Sequence, residues 1–399
     1  MVPFILGLLS SFSLPPYNLL IINFIVFPVL LFFLIINYKK SKITFFIIGW
    51  IFGFGYFISN LYWITNSLTF EEIFKPLIPF ALIFIPLFLG IFYGFVTLIC
   101  SFFSLKKNFS TILIFAIIFS SIEFVRSFFL GGFPWNLIAY SWTNYLNSLQ
   151  ILSLIGTYSF NLFSITAFLM PLILIFDKSL RFKLTSFTIL IIILLSNHYY
   201  GAWKINQNEI SHKENTEYKI KVISPKIPIK RFFSPENPEE IIKELIDLSN
   251  PHHSEKTIFI FPEGILSSIY LRDLQNFKNL FSENYSDNHI LLMGINTKEK
   301  INDKIKIYNS LVVLNKNIEI LAKYNKNKLV PFGEFLPLEN LFLKFGLKKI
   351  TYGYQSFSPG NERKVIKINN FKFIPLICYE IIYSGKLLKE NKDFDYIIN

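Results

Sequence analysis

Seven long apolar stretches occupy the first half of the 399-residue chain, and they constrain its fold more than any other feature. Most of them reach the roughly 18 to 25 residues that a helix needs to cross the hydrocarbon layer of a bilayer. The first is shorter, and because it lacks the basic start and cleavage site of a signal peptide, we expect a short first helix. The stretches run over residues 2–13, 19–38, 43–64, 76–103, 110–130, 149–176 and 184–200. They predict an α-helical membrane domain of about seven spans over residues 1–203.

The density of charged residues changes sharply after this half. Only ten of the 39 Lys and Arg residues and four of the 27 Asp and Glu residues precede residue 204. We therefore expect residues 204–399 to form a water-soluble domain that begins with a polar linker over residues 204–216. The lysines are spread along the chain and form no basic stripe, so the net charge of +12 does not indicate nucleic-acid binding.

Eight of the ten basic residues of the first half lie in every second loop between the apolar stretches. These loops hold Lys39, Lys40 and Lys42, then Lys106 and Lys107, and then Lys178, Arg181 and Lys183. Because basic loops stay on the cytoplasmic side, the amino terminus is predicted to lie inside. Seven spans from an inside start then put residues 204–399 outside the cytoplasm.

Two opposite charges stand within the fifth apolar stretch. Glu123 and Arg126 are three residues apart, so they can pair on one face of a helix. Ionisable residues inside a span usually mark function. An internal structural pair is an equally good interpretation at this stage.

The second half alternates between short β-like runs and helical ones. Strands are predicted over residues 218–224, 257–261, 289–294, 305–315, 318–323, 364–368 and 371–377, and helices over 239–250 and 271–281. The last two strands form a predicted hairpin around Asn369 and Asn370. Such alternation predicts a layered α/β domain in which functional groups stand at strand ends.

A single cysteine, Cys378, follows the last of the clear strands. The only other cysteine, Cys100, lies in an apolar stretch, so the chain contains no disulfide framework. A thiol at a strand end has the position of a nucleophile, although most free cysteines are simply small buried apolar side chains.

Two other strand ends carry groups that complement a thiol. Glu263 follows the run TIFIF, Lys326 follows a strand ending near Tyr324, and Glu334 comes eight residues later. A carboxylate can take the thiol proton, and an ammonium can stabilise the oxyanion of a tetrahedral intermediate. Taken singly, these three residues could equally be a cap, a solvated charge and a salt-bridge partner. With no C-x-x-C motif and no histidine cluster, we expect neither a metal nor a cofactor.

Together these motifs resemble the nitrilase superfamily, in which a Glu-Lys-Cys triad appears in this chain order. Preceding membrane spans narrow the resemblance to the bacterial apolipoprotein N-acyltransferase family. The stretches that carry it are SLPPYN at 13–18, GFGYFISNLYWI at 53–64, EFVR at 123–126, GGFPWN at 131–136, FPEG at 261–264, YNKNKLVPFGEFLPLE at 324–339 and CYE at 378–380. The resemblance implies a helical membrane domain followed by an α-β-β-α sandwich over residues 204–399.

The resemblance also implies a role for each matching residue. Glu263 would be the general base, Lys326 the oxyanion-stabilising lysine and Cys378 the acyl-accepting nucleophile, with Glu334 as a second essential glutamate beside Lys326. Tyr379 and Glu380 match supporting positions next to the nucleophile.

The reaction that the resemblance implies has two steps. Cys378 would take an acyl chain from a phospholipid, usually phosphatidylethanolamine, and pass it to the α-amine of diacylglyceryl-cysteine on an apolipoprotein. The location implied is the bacterial inner membrane, with the catalytic domain in the periplasm.

Two stretches depart from the family pattern. Where relatives have a QPNI-like or QGNI-like stretch and then a tryptophan, this chain has SPKIPIKRFF at 224–233, with Phe233 at the tryptophan position. The chain stops at Asn399 within DYIIN, where relatives continue with an SND-x-W-F-like segment, more of the domain and a last membrane helix. The resemblance therefore implies a catalytic sheet that is incomplete at its carboxyl end.

Two other functions remain open at the level of sequence. One is a membrane-tethered amidase or nitrilase acting on a small carbon–nitrogen substrate, for which seven spans would serve only as an anchor. The other is a non-catalytic lipid-binding or lipoprotein-binding relic, which the short carboxyl end favours. The retention of Glu263, Lys326, Glu334 and Cys378 argues against the relic.

Overall fold

The computed structural model describes most of the chain and divides it into two compact units, residues 1–213 and 214–399. The described residues are 1–69, 72–129, 132–177, 179–211, 217–226, 237–301, 303–331, 333–335, 356–385 and 393–399. The predicted substrate contact Phe233, with most of the run at 224–233, lies outside them. So do Lys178, Gly131 and the last four residues of the 324–339 motif.

The first unit is a bundle of apolar helices that covers all seven predicted stretches. Its helices are α1 (Val2–Ser11), α2 (Asn23–Ile36), α3 (Lys42–Leu61), α4 (Ile78–Cys100), α5 (Phe109–Arg126), α6 (Leu146–Leu149), α7 (Leu152–Leu169), α8 (Ile173–Phe176) and α9 (Leu180–Ser211). Five helical segments among the described residues are long and apolar enough to cross a membrane, and two shorter apolar helices cover Val2–Ser11 and Leu20–Ile36. A membrane domain is thus confirmed, while the number of crossings stays a prediction.

Close packing of α3 against its neighbours depends on glycine. A Cβ atom on Gly53 would lie 2.7 Å from Gly90 Cα on α4, and one on Gly55 would lie 2.3 Å from the Phe4 carbonyl oxygen on α1. Real Cβ atoms do not approach so closely, so only glycine allows these helices to meet at this distance. Helix ends are set locally, since the Ser41 side chain accepts from the Thr44 N–H at the start of α3.

The predicted linker is wrong in its first part. Helix α9 continues without interruption to Ser211, where a polar linker was expected from Lys204 onward. No glycine or proline follows Gly201 before Ser211, so nothing in the sequence ends the helix where its apolar stretch ends. Residues 212–216 of the predicted linker lie outside the described part of the chain.

The second unit contains two β-sheets. Their strands are β1 (Lys219–Val222), β2 (Thr257–Ile260), β3 (His289–Ile301), β4 (Lys304–Leu314), β5 (Ile320–Asn325), β6 (Ile366–Ile368), β7 (Phe371–Pro375) and β8 (Tyr396–Ile398). The first sheet has the order β1-β2-β3-β4-β5, and the second has the order β6-β7-β8. Strands β1 to β3 are parallel, and β3 to β5 are antiparallel.

Each face of the first sheet packs on a different layer. Phe259 and Leu291 lie in one core with side chains of α10 (Pro238–Ser249) and α11 (Lys278–Asn284). Ile258 and Leu292, one residue earlier or later, lie in a second core with Phe373 of the other sheet. This alternation is the two-residue period of a strand buried on both faces. The predicted α/β class is confirmed, and three of the four predicted layers are found among the described residues.

Two element boundaries differ from prediction. Strand β3 extends to Ile301 rather than residue 294, because its polar end pairs with β4 as far as Ile301 opposite Lys304. The predicted helix over 271–281 is a 3-10 turn, Asp273–Phe277, followed by α11.

Candidate active site

Cys378 stands on a sharp turn at the end of β7. A 3-10 turn, Cys378–Ile382, begins at this cysteine, three residues beyond the buried strand end at Pro375. The cysteine has φ +51°, a left-handed conformation that is unfavourable for a residue with a side chain. Its side chain is exposed. The turn therefore presents the sulfur to solvent at a strand end.

Glu263 follows β2 and lies against β3. A Cβ atom on Gly294 would lie 2.6 Å from Glu263 Cα, so the glycine lets the backbone of the acidic residue approach the neighbouring strand. The Glu263 side chain is 37% exposed. It is thus both anchored by its backbone and open to a substrate.

Lys326 is buried at the end of β5, with its side chain only 1% exposed. Its backbone N–H donates to the Asn309 carbonyl oxygen at 2.8 Å, and its own carbonyl accepts from the Gly360 N–H at 2.7 Å. Its ammonium Nζ lies 2.9 Å from Glu334 Oε1 and 3.9 Å from Glu263 Oε1. The lysine therefore stands between two carboxylates.

The second carboxylate is held by its own loop. Glu334 Oε2 accepts from the Val330 N–H at 2.9 Å, and the Glu334 N–H donates to the Val330 carbonyl at the same distance. The Phe357 N–H donates to the Glu334 carbonyl at 2.9 Å. These bonds leave Oε1 directed at Lys326.

Sequence reasoning missed Asn309, which joins both carboxylates. It lies on β4, and its Nδ2 donates to Glu263 Oε1 at 2.6 Å and to Glu334 Oε1 at 3.1 Å. A signal was present in the sequence. Every second residue of this strand from 305 to 313 is apolar except Asn309, so a polar side chain stands in a row that faces the core.

Glu380 lies two residues after Cys378 and is fully buried. Its buried carboxylate accepts from the Tyr324 hydroxyl and from the backbone N–H groups of Asn327 and Lys328. It also accepts from the Ile377 N–H at 3.0 Å, one residue before Cys378. Glu380 thus ties the cysteine turn to the chain on either side of Lys326. Tyr379 is half-buried, with its ring 5.5 Å from that of Tyr383.

The charges around the thiol act on its pKa in opposite directions. Although Cys378 is exposed, nearby protein removes part of its hydration, and this desolvation together with the charge of Glu263 raises the thiol pKa against the effect of Lys326. Burial acts to lower the Lys326 pKa, but the charges of Glu263 and Glu334 outweigh it, so this pKa is raised. The raised pKa values therefore favour a charged lysine beside a protonated thiol at neutral pH.

A cavity in the second unit is lined by residues other than these. Its lining consists of Tyr270, Leu271, Arg272, Gln275, Thr297, Lys298, Glu299, Ile318, Ile320 and Lys323. In the described part of the chain, no group of three or more His, Cys, Asp or Glu side chains could hold a metal ion.

The first unit contains a separate buried ion pair. Glu123 and Arg126 pair as expected, with 3.4 Å between Arg126 NH2 and Glu123 Oε1 and both side chains fully buried. Glu123 also accepts from the Tyr93 hydroxyl at 2.8 Å and from Asn161 Nδ2 at 2.7 Å. The carboxylate therefore connects α4, α5 and α7.

Arg126 also donates from NH1 to the chain that follows α5. Its NH1 donates to the carbonyl oxygens of Phe133 at 2.7 Å and Trp135 at 2.8 Å. The Tyr56 hydroxyl of α3 donates to the next carbonyl, Asn136, at 3.1 Å. These contacts favour the structural interpretation of the pair, because the charges order a backbone segment that has no helix of its own.

Helices that can span a membrane, followed by an α/β domain in which a Glu, a Lys and a Cys each follow a strand, define a membrane protein with a nitrilase-type domain. The family description "Apolipoprotein N-acyltransferase N-terminal domain" matches residues 6–170, and "Carbon-nitrogen hydrolase" matches residues 258–399. The two matches fall on opposite sides of the division between the compact units.

Curated relatives extend the likeness over nearly the whole chain. The chain is 33% identical to the apolipoprotein N-acyltransferase of Rickettsia prowazekii, over 88% of its own length and 69% of the relative. It is 33% identical to that of Rickettsia typhi over the same shares. It is 27% identical to that of Brucella melitensis biotype 1, over 99% of this chain and 76% of the relative. The chain therefore belongs to the apolipoprotein N-acyltransferase family, within the nitrilase superfamily.

Proposed function

We propose that the protein moves an acyl chain from a membrane phospholipid to the amino-terminal amine of diacylglyceryl-cysteine on apolipoproteins, through a thioester on Cys378. The observation that carries this proposal is the placement of the Lys326 ammonium between two carboxylates, beside a strand end that exposes a thiol. Family membership supports the choice of acyl transfer over other thiol chemistry.

In the first half-reaction Glu263 takes the proton of the Cys378 thiol, and the sulfur attacks the ester carbonyl of the phospholipid. The carbonyl oxygen becomes an oxyanion, which the Lys326 ammonium stabilises. Collapse of this intermediate breaks the ester C–O bond. The departing alkoxide takes the proton from Glu263 and leaves as a lysophospholipid, and the acyl chain remains on sulfur as a thioester.

In the second half-reaction the free α-amine of the lipoprotein attacks the thioester. Lys326 stabilises the second oxyanion, Glu263 takes one proton from the amine nitrogen, and the C–S bond breaks. The thiolate of Cys378 takes that proton back, and the product is an amide. Glu334 keeps Lys326 in place during both steps, since its Oε1 lies 2.9 Å from the ammonium.

Both substrates carry acyl chains, so the enzyme must meet them at a membrane. The apolar helices of the first unit supply that location. We place the protein in the bacterial inner membrane with the second unit in the periplasm, on the basis of the basic residues in alternate loops. Phosphatidylethanolamine is the donor to test first.

The first half-reaction can be tested in membranes that contain the full chain. These membranes are incubated with phospholipid that is labelled in its acyl chains. We expect a hydroxylamine-sensitive acyl adduct on Cys378 by mass spectrometry. The Cys378→Ala variant should lack it, and the matched variant Cys100→Ala should keep it, because Cys100 is buried in the first unit. A parent chain that is inserted and intact yet forms no adduct would refute the proposal.

The second half-reaction separates acyl transfer from carbon–nitrogen hydrolysis. Adding a synthetic diacylglyceryl-cysteine peptide should discharge the adduct and produce the triacylated peptide. The match of residues 258–399 to carbon-nitrogen hydrolases makes hydrolysis the second candidate. Turnover of soluble amides without lipid, and no triacylated peptide, would favour that candidate instead.

A further inference from the structure

We propose that Asn309 is a positioning residue of this reaction: its single side-chain amide holds Glu263 and Glu334 on either side of Lys326, so that the ammonium keeps a donor for the substrate oxyanion. This inference rests on the proposed function and adds a residue to it. Asn309 is not one of the three side chains of the triad.

The position of Asn309 is fixed from several directions. It lies within β4, only 7% exposed, and its carbonyl oxygen accepts from the Lys326 backbone N–H at 2.8 Å. The same residue therefore binds the main chain of the lysine and the side chains of both carboxylates. A buried amide with this set of partners has one defined orientation, because its two N–H groups have two charged acceptors.

The distances show how donors are divided within the site. Lys326 Nζ lies 2.9 Å from Glu334 Oε1 but 3.9 Å from Glu263 Oε1. Glu263 Oε1 instead has the Asn309 amide at 2.6 Å. The base thus receives its short hydrogen bond from a neutral donor, while the lysine makes its close ion pair with the other carboxylate.

Removing the side-chain amide of Asn309 changes the contacts of both Glu263 and Lys326. The Lys326 ammonium lies 3.9 Å from Glu263 Oε1, and a shift of about 1 Å would then close a direct hydrogen-bonded ion pair. That pair would occupy an ammonium hydrogen that the oxyanion needs. It would also engage the carboxylate that must take the thiol proton.

The charged and titratable groups around Glu263 come from several elements. They are Lys326 after β5, Glu334 on its loop and the thiol of Cys378 after β7. The residue opposite Asn309 on β3 is the neutral Asn296. Any change in the pH dependence of acylation after substitution of Asn309 therefore reports on this cluster.

Acylation of the full chain by p-nitrophenyl butyrate in detergent micelles tests the inference without the natural substrate. In Asn309→Ala we expect the acylation rate constant to fall roughly ten- to a hundred-fold, as for loss of a hydrogen bond to a charged group. The KM for the ester should stay within about two-fold, because the amide is directed at the carboxylates. The acidic limb of the pH–rate profile should shift from its parental position, because the contacts of the base change.

Asn315→Ala is the matched control. Asn315 follows the end of β4, and its Nδ2 donates to Glu319 Oε2 at 2.6 Å. This variant therefore also loses an amide–carboxylate hydrogen bond, but at a position far from Cys378 in sequence. It should acylate at the parental rate with an unmoved profile. Where Asn309→Ala does not accumulate as folded protein, Asn309→Ser is measured against the same criteria.

The outcomes separate this inference from the proposed function. An Asn309→Ala rate equal to that of the parent overturns the inference, and so does a slower rate with an unmoved acidic limb, which would mean a purely structural role. A parent that is acylated by the ester but never by phospholipid overturns the lipid proposal, and the test of Asn309 still applies. A parent acylated by neither overturns both.

Discussion

The guanidinium of Arg363 lies 2.8 Å from the carboxylate of Glu380, and both side chains are almost completely buried. The same carboxylate accepts from backbone N–H groups on both sides of the site, at Lys328 and at Ile377. A single buried charge therefore fixes the distance between the lysine segment and the cysteine turn. Its contribution is to geometry, because it contacts neither the thiol nor the ammonium.

Replacing Glu380 by Gln should destabilise the second unit by about 3–5 kcal/mol, as for breaking a buried ion pair. The new amide nitrogen would face donors, and Arg363 would lose the negative charge beside it. Hydrogen exchange of the β5 and β7 amides checks this loss of stability. These amides should exchange more slowly in the parent than in the variant. Glu319→Gln is the control, since Glu319 is an exposed carboxylate that accepts from Asn315. Equal protection in Glu380→Gln and parent would contradict the prediction.

The strained turn at Cys378 predicts a conflict between stability and activity. At φ +51° a glycine has no Cβ penalty, whereas an alanine keeps it. Cys378→Gly should therefore unfold with a free energy about 1 kcal/mol higher than Cys378→Ala, and both should be inactive. Urea titrations followed by pulse proteolysis compare the two variants. A glycine variant less stable than the alanine variant would mean that the turn is relaxed.

Much of this architecture follows from local sequence patterns. The hairpin around Asn369 was predicted because two asparagines separate two apolar runs, and the structure pairs Ile368 with Phe371 across it. Strand positions were predicted from apolar runs of strand length, which a doubly buried sheet requires. The positions of Glu263, Lys326 and Cys378 at strand ends followed from the same runs.

The parts that sequence did not predict are contacts across the sheet and between loops. Asn309 meets Glu263, 46 residues earlier, only because β4 lies next to β3. Arg363 has no strand or motif that marks it as a partner of Glu380. The end of α9 was missed for a different reason, since a helix can continue in water after its apolar stretch ends.

Lys326→Ala should abolish thioester formation, with a loss of about a hundred- to a thousand-fold, because the oxyanion loses its donor. The raised pKa of Lys326 keeps the ammonium charged well into alkaline solution, so parental acylation should not fall between neutral pH and about pH 10 through loss of this charge. Lys328→Ala is the control, since this exposed lysine lies two residues along the same segment. Acylation of Lys326→Ala at the parental rate would refute the oxyanion role.

The basic loops predict which side of the membrane each segment occupies. A reporter that is active only after export, fused after Ser211 at the end of α9, should be active. The same reporter fused after Lys107, between α4 and α5, should be inactive. An inactive Ser211 fusion would overturn the orientation. It would also remove the access of the second unit to exported lipoproteins.

A buried histidine predicts that acid destabilises the second unit. His289 at the start of β3 is 1% exposed, and its ring accepts from the Ser286 N–H and contacts the His252 carbonyl. Desolvation, together with the positive charges of His253 and Lys221, lowers its pKa. Because the unfolded chain takes up this proton at higher pH than the folded one, the free energy of unfolding should fall as the pH drops below about 6.5.

Urea midpoints of the second unit at pH 7.5, 6.5 and 5.5 measure this dependence. His289→Gln should have a lower midpoint at pH 7.5 but a shallower decline toward pH 5.5, since glutamine has no proton to take up. The exposed side chain of His252 provides the control, because His252→Gln leaves the carbonyl that His289 contacts in place. If the His289→Gln midpoint declined as steeply as that of the parent, the acid sensitivity would have to come from carboxylates of the sheet rather than from this histidine.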